Sequence, residues 1–312
     1  MATQPLFVSS GDLVADRRYG WALDYLKKGD PAAAADILEQ VVETVPGFAT
    51  AWFALAVIRE QAGDRDGAIA GFRAASDADR EDYHGARLHL ARLGAGARTP
   101  GMTATYVRRL FDQHAPDFEE SLVRRLEYQG PAILLDALKA VAGGNPLKFG
   151  SALDLGCGTG LAGVAIRPFC DRLAGMDLSP GMIEQARAKD IYDRLETSDL
   201  LEFLAAEDAR HNLVLGADVF VYCGDLAPIV AAVARVLAPG GEFAFTVETH
   251  SGAGILLQPT LRYAHGPAHV EAAVEAAGLQ LRHLAQVSTR KEKGEWVPGL
   301  VAVAMAPPTS RA

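Results

Sequence analysis

The chain has 312 residues, 49% of them apolar, with a formal net charge of -9 and three cysteines. That fills a core in one large or two smaller domains and excludes a disordered chain. The acidic balance argues against general nucleic-acid or anionic-membrane binding, which needs concentrated Lys and Arg.

Cys157, Cys170 and Cys223 form no C-x-x-C pair and no His stands beside them at ligand spacing, which speaks against structural zinc and a disulfide framework. The start of the chain has no basic leader before an apolar stretch, and no run reaches the roughly 20 apolar residues that span a bilayer. The expectation is a cytoplasmic protein with no metal, nucleic-acid or membrane partner.

The first third carries a repeat. Gly29-Asp30 recurs as Gly63-Asp64, Ala34 as Ala68, Leu38 as Phe72 and Val41 as Ala75, each pair 34 positions apart. Glycine at a turn and alanine where two helices touch describe a helical hairpin repeated. With Pro46, Trp52 and Leu55, residues 17–93 resemble tetratricopeptide repeats, although Arg80 stands where a second closing Pro would fall. Residues 83–93 read as a further helix that caps the stack.

Two repeats and a cap fall below the roughly three needed for independent stability, so support from the rest of the chain or from a second copy is expected. A peptide-binding groove, self-association and a spacer role all stay open. Residues 94–101, GAGARTPG, have linker composition. Residues 1–95 are therefore expected as the repeat domain and 96–312 as the second domain. In residues 104–128, Tyr106, Leu110, Phe111, Phe118, Leu122 and Leu126 fall at helical spacing.

From 146 onward short apolar runs alternate with helical segments, the pattern of a parallel sheet with helices on its faces. Strands are expected at 147–155, 172–177, 195–199, within 212–222 and at 242–248. Helices are expected at 161–169, 182–189, 226–237 and 270–277. Ser179-Pro180 supplies a cap and a first-turn Pro. Residues 280–289 and 297–305 read as a terminal strand pair joined by a charged turn at 290–294, an ending foreign to a simple dinucleotide fold.

The first strand runs into LDLGCGTGLAG, residues 153–163. From Gly158 this satisfies G-x-G-x-x-G, a dinucleotide pattern; from Asp154 it is D-x-G-x-G-x-G. Charge separates the two ligands. A pyrophosphate wants backbone N–H groups and a helix N-terminus with no carboxylate close by, whereas S-adenosyl-L-methionine carries a cationic methionine end. Asp154 suits the second. Asp177, ending strand two, would accept from ribose hydroxyls of either ligand, and Asp199, ending strand three, would take an adenine amine.

Residues 101–306 resemble class I S-adenosylmethionine-dependent methyltransferases through LDLGCGTG, Met176-Asp177-Leu178-Ser179 and Leu237-Ala238-Pro239-Gly240-Gly241. With the repeats, the chain is similar to the bacterial tetratricopeptide-containing methyltransferases. The resemblance implies an α/β Rossmann-like sheet with a terminal antiparallel hairpin behind an all-α domain. It implies S-adenosyl-L-methionine as cofactor, with Asp154, Gly156, Cys157, Gly158 and Gly160 around methionine and ribose and Asp177 and Leu178 at the ribose. Asp199, Leu200 and Met182 would hold the adenine, with core packing the alternative for Met182.

The resemblance further implies that 104–130 fold over the cofactor as a lid, with Tyr106 and His114 near the methionine carboxylate. Gly163 is then expected to allow close packing on strand one. Strand four departs from the family: His211-Asn212 replaces the usual aromatic-Asp opening, and the polar tip moves to Ala217-Asp218, near the transferred methyl. Asp218, Tyr222, His250 and Tyr263-Ala264-His265 are expected in loops at the carboxyl edge of the sheet. Among them Asp218 and His265 are the candidates for acceptor orientation or general base. No N-P-P-[YF] follows strand four, and a small organic acceptor leads. A protein acceptor recruited by the repeats and a non-catalytic, cofactor-sensing adaptor are the alternatives.

Overall fold

The computed structural model describes residues 7–99, 101–113 and 118–308. The chain divides into two compact units, 1–106 and 107–312.

The first unit holds α1 (Leu13–Lys27), α2 (Pro31–Thr44), α3 (Ala49–Gln61), α4 (Arg65–Ala78) and α5 (Ala86–Arg92). The repeated Gly-Asp pair has a direct structural meaning: glycine makes the turn and aspartate caps the next helix. Asp30 accepts from the Ala33 N–H at 3.0 Å and Asp64 from the Gly67 N–H at 2.9 Å, each satisfying one orphan donor of a helix start. Ala34 and Ala68 are fully buried, and a Cβ on Gly71 would stand 2.9 Å from that of Ala56, so small residues set the helix spacing. Tyr19, Leu38, Phe48 and Leu55 fill one core of this unit; Phe53, Ala68 and Phe72 fill another.

The division falls inside α6 (Ala104–Asp112). A π-helical turn at Glu120–Arg125 and α7 (Gly130–Ala142) lead into β1 (Phe149–Leu155). Then come α8 (Leu161–Ile166), β2 (Cys170–Asp177), α9 (Pro180–Arg187), β3 (Arg194–Thr197), α10 (Leu200–Ala206) and β4 (His211–Gly216). They are followed by α11 (Ala227–Val236), β5 (Leu237–Glu248), β6 (Ile255–Leu257), β7 (Tyr263–His265) and α12 (Pro267–Ala276). The last strands are β8 (Gln280–Val287), β9 (Lys291–Glu292), β10 (Glu295–Trp296) and β11 (Gly299–Met305).

The main sheet runs β3-β2-β1-β4-β5-β11-β8. The first five strands are parallel, and β11 lies antiparallel between β5 and β8. The strand period of two divides the core: Val214 packs on one face with Phe243, Phe245 and α11, whereas Leu213 and Leu215 pack on the other with α7 and α8. This is an α/β Rossmann-like sheet with a terminal antiparallel pair, behind an all-α repeat region. No helix among the described residues is long and apolar enough to cross a membrane.

Several elements differ from the sequence reading. Helix α10 follows β3 directly, and Asp199 caps it instead of ending the strand. Tyr263-Ala264-His265, expected in a loop, form strand β7, because Ala264 pairs with Glu248 of β5 and β6 covers the other edge. Three-residue strands carry no readable alternation. Of the expected helical run at 104–128, Ala104–Asp112 form α6 and Glu120–Arg125 form the π-helical turn; His114 lies outside the described residues.

Candidate active site

The glycine loop leaves β1 at the carboxyl edge of the sheet, where ligands of such sheets bind. Gly156 and Gly158 take φ of +60° and +54°, the left-handed region that a side chain disfavours. A Cβ on Gly156 would meet Val219 at 2.4 Å, whereas one on Gly158 would meet nothing within 4 Å among the described residues. The loop is tied down by the Cys157 N–H donating to the Met176 carbonyl and the Gly160 N–H to the Cys157 carbonyl, each at 2.8 Å.

Two buried carboxylates bracket the loop. Asp177 accepts from the Gly158 N–H at 2.9 Å and from the Ser179 N–H at 2.8 Å. Burial nevertheless raises its pKa to about 6. Asp154 accepts from the Tyr192 hydroxyl at 2.7 Å through Oδ2, while its buried Oδ1 has no hydrogen-bond partner among the described residues. Burial raises Asp154 to about 7, with the neighbouring Asp177 adding to the rise and the Tyr192 hydrogen bond opposing it.

Tyr192 was not singled out by sequence reasoning. A Cβ on Gly163 would lie 2.2 Å from the Tyr192 hydroxyl oxygen, so this glycine also makes room for Tyr192 beside Asp154 of strand one.

The remaining cofactor candidates separate by accessibility. Leu178, Leu200 and Ala217 are partly exposed. Asp199 spends Oδ1 on the Leu201 and Glu202 N–H groups at the start of α10. Met182 has no exposed surface and Cys157 is 6% exposed. The packing alternative therefore fits Met182, and the Cys157 backbone N–H and carbonyl are engaged within the loop. The Tyr106 ring lies against Gly85, where a Cβ would stand 2.8 Å from Cε2, within the first unit.

Residues 107–113 and 118–128 lie over this edge. Phe111 packs edge-on to Tyr222 with ring centroids 5.2 Å apart. Ser179 donates to Asp112, and Lys189 donates to Glu119 and, at 2.8 Å, to the Thr159 carbonyl of the glycine loop. Backbone bonds of 2.7 Å from Gln129 to Thr289 and from Lys291 to Leu126 join the segment to the turn after β8.

That turn carries Arg290, a second residue sequence reasoning missed. It is 6% exposed and pairs with Asp218 at 2.6 Å and with Glu248. Burial alone would lower its pKa, but Asp218 and Glu248 outweigh that and hold the guanidinium charged. Glu248 also accepts from Gln258 and from Arg262, the latter at 2.6 Å, and Arg262 pairs with Glu292.

Asp218, a candidate for acceptor orientation or general base, is not a free carboxylate. Thr246 donates to one oxygen at 2.9 Å, and Thr289 and Arg290 donate to the other at 2.8 and 2.6 Å. Its carboxylate fastens the end of β4 to the turn after β8. His265 is corrected too: it is fully buried, with Nε2 3.0 and 3.1 Å from the Cys223 and Gly224 carbonyls. Burial lowers its pKa to about 4, so the neutral ring donates to that loop and holds it. Tyr128 and Tyr222 lie near Asp218 and Arg290, and burial raises both phenols.

The parallel sheet with its single inserted antiparallel strand and its acid-flanked glycine loop define the class I, S-adenosylmethionine-dependent methyltransferase fold. A methyltransferase domain family matches residues 153–245, and a tetratricopeptide repeat family matches 25–93; the chain carries both domains.

Methyltransferase-like protein 27 of Homo sapiens is 35% identical over 147 residues, 45% of this chain and 57% of its own length. Nodulation protein S of Rhizobium tropici is 34% identical over 101 residues, 30% of this chain and 42% of its own length. The chain thus spans about half the length of these curated relatives. A similar fold is found in the 1,6-didemethyltoxoflavin-N1-methyltransferase of Burkholderia thailandensis, solved with 1,6-didemethyltoxoflavin and S-adenosylhomocysteine bound. The TM-score is 0.51 at 17% identity, over 64% of this chain and 87% of that one.

Proposed function

We propose that the chain transfers a methyl group from S-adenosyl-L-methionine to a small organic acceptor. The observation that carries the cofactor assignment is the occupation of the Gly158 N–H by Asp177, beside the unpartnered Oδ1 of Asp154. A pyrophosphate needs that amide and would meet two buried carboxylates; a cationic ammonium is welcomed by them. The space over Gly158, open among the described residues, accommodates the ligand.

In this reading Asp154 and the loop glycines hold the methionine end, Asp177 and Leu178 the ribose, Asp199 and Leu200 the adenine, and Ala217 lies near the transferred methyl. When bound, the cofactor supplies a methyl group on a sulfonium that leaves as a neutral thioether. The chain's own task is to align the acceptor and exclude water. Phe111, with the Asp112–Ser179 and Glu119–Lys189 contacts, closes the edge, and Tyr128 and Tyr222 face the acceptor.

Calorimetry with S-adenosylhomocysteine on the intact protein tests the cofactor; absent binding refutes the reading. Incubation with methyl-labelled cofactor and separated metabolite and protein fractions of a cell extract tests the acceptor. Label in the metabolite fraction is expected, and label confined to protein refutes the small acceptor.

A further inference from the structure

Helix α1 ends the repeat array with the wrong kind of surface. Terminal elements of such arrays normally present a polar outer face. Here Leu13, Val14, Trp21 and Tyr25 are 86%, 63%, 50% and 40% exposed, all on α1. Tyr19, Ala15 and Ala22 are buried on the opposite side, so the apolar stripe is additional to the packing face. At 100° per residue, Leu13, Arg17, Trp21, Asp24 and Lys28 share one outer face about 20 Å long.

Gly20 sharpens the case. It sits mid-helix, where glycine costs about 1 kcal/mol relative to alanine. A Cβ there would meet nothing within 4 Å among the described residues, so none of them calls for a missing side chain. A gap of this kind, next to an exposed indole, fits a close approach from outside.

We propose that the outer face of α1 is a dimerisation surface for a second copy of this chain, the two α1 helices packing antiparallel about a two-fold axis between Gly20 and Trp21. In that register the Trp21 indole of each copy covers Gly20 of the other. Arg17, now lying 5.8 Å over the Trp21 ring, comes opposite Asp24 of the other copy, twice by symmetry. Leu13 comes opposite the stem of Lys28. The face is self-complementary because its acids and bases exchange places under the rotation. It is independent of the proposed methyl transfer, since none of these residues belongs to that site.

Sedimentation velocity of the full chain tests this. A dimer is expected at concentrations up to about 100 µM, and Trp21→Glu is expected to weaken it at least ~10-fold, as removal of a central aromatic anchor does. Arg17→Glu alone weakens the dimer, and Arg17→Glu with Asp24→Arg restores it by exchanging the pair. Far-UV circular dichroism checks that each variant stays helical; for one that does not, Gly20→Leu, which fills the gap, replaces it and is expected to give monomer. A wild-type monomer at these concentrations, a dimer indifferent to Trp21→Glu, or an exchange that restores nothing overturns the proposal. A different protein seated on the face would leave the isolated chain monomeric, the first of those outcomes.

Discussion

The Tyr192 hydroxyl donates to Asp154 at 2.7 Å, and its ring fills the volume that Gly163 and Gly175 leave by lacking a Cβ. One side chain thus links the acid of the glycine loop to two glycines on neighbouring elements. Gly163→Ala is expected to cost roughly 1–3 kcal/mol through overpacking. Tyr192→Leu in the same background removes the obstacle, so a double-mutant cycle by urea denaturation should return less than the sum of the single losses. Additive losses would mean that the two positions share no space.

Burial holds Asp154 at about 7 and Asp177 at about 6. Between the unfolded carboxylate value of about 4 and these values the native state binds more protons than the unfolded one. The associated stability is therefore fully present below about pH 4 and is lost as pH rises through 6 to 7. The ligand-free Asp154→Asn variant should show a shallower fall in Tm over about pH 5 to 8 than the wild type. Parallel curves would remove the assignment.

An ammonium group opposite Asp154 favours its ionised form. Binding of S-adenosylhomocysteine near neutral pH should then release protons, readable as a buffer-dependent calorimetric enthalpy. A value independent of buffer ionisation argues against that contact.

Replacing Asp177 by Ala frees the Gly158 amide and removes the carboxylate expected at the ribose. The loss of S-adenosylhomocysteine affinity should be roughly 1.5–3 kcal/mol, the range for charge-assisted contacts. Undiminished binding would refute the assignment of Asp177.

Arg290→Met leaves Asp218 and Glu248 facing each other without their shared guanidinium. Removal of one member of a buried ionic cluster costs about 3–5 kcal/mol. Adding Asp218→Asn and Glu248→Gln should recover part of that loss in urea denaturation. No recovery would show that Arg290 acts through packing alone.

Elements set by local chemistry were legible in the sequence. The Gly-Asp pairs, Ser179-Pro180 and LDLGCGTG each state a turn, a cap or a backbone conformation within a few residues, and the structure has them there. The same holds for the central strands β1, β4, β5 and β11, which are apolar because both their faces are covered. Short elements were not legible: β6 and β7 exist through pairing with β5, and α10 follows its strand with no intervening turn signal.

Sequence alone determined the fold class, the repeat period and the left-handed glycine loop after β1, because these follow from periodicity and glycine geometry close along the chain. Only the tertiary structure decided what surrounds that loop. Tyr192 reaches Asp154 across 38 positions and Arg290 reaches Asp218 across 72. It also took His265 out of contention as a base by burying it and Asp218 by surrounding it with donors. The physical reason is that burial and ionic pairing depend on which distant segments meet, and no local pattern encodes that meeting.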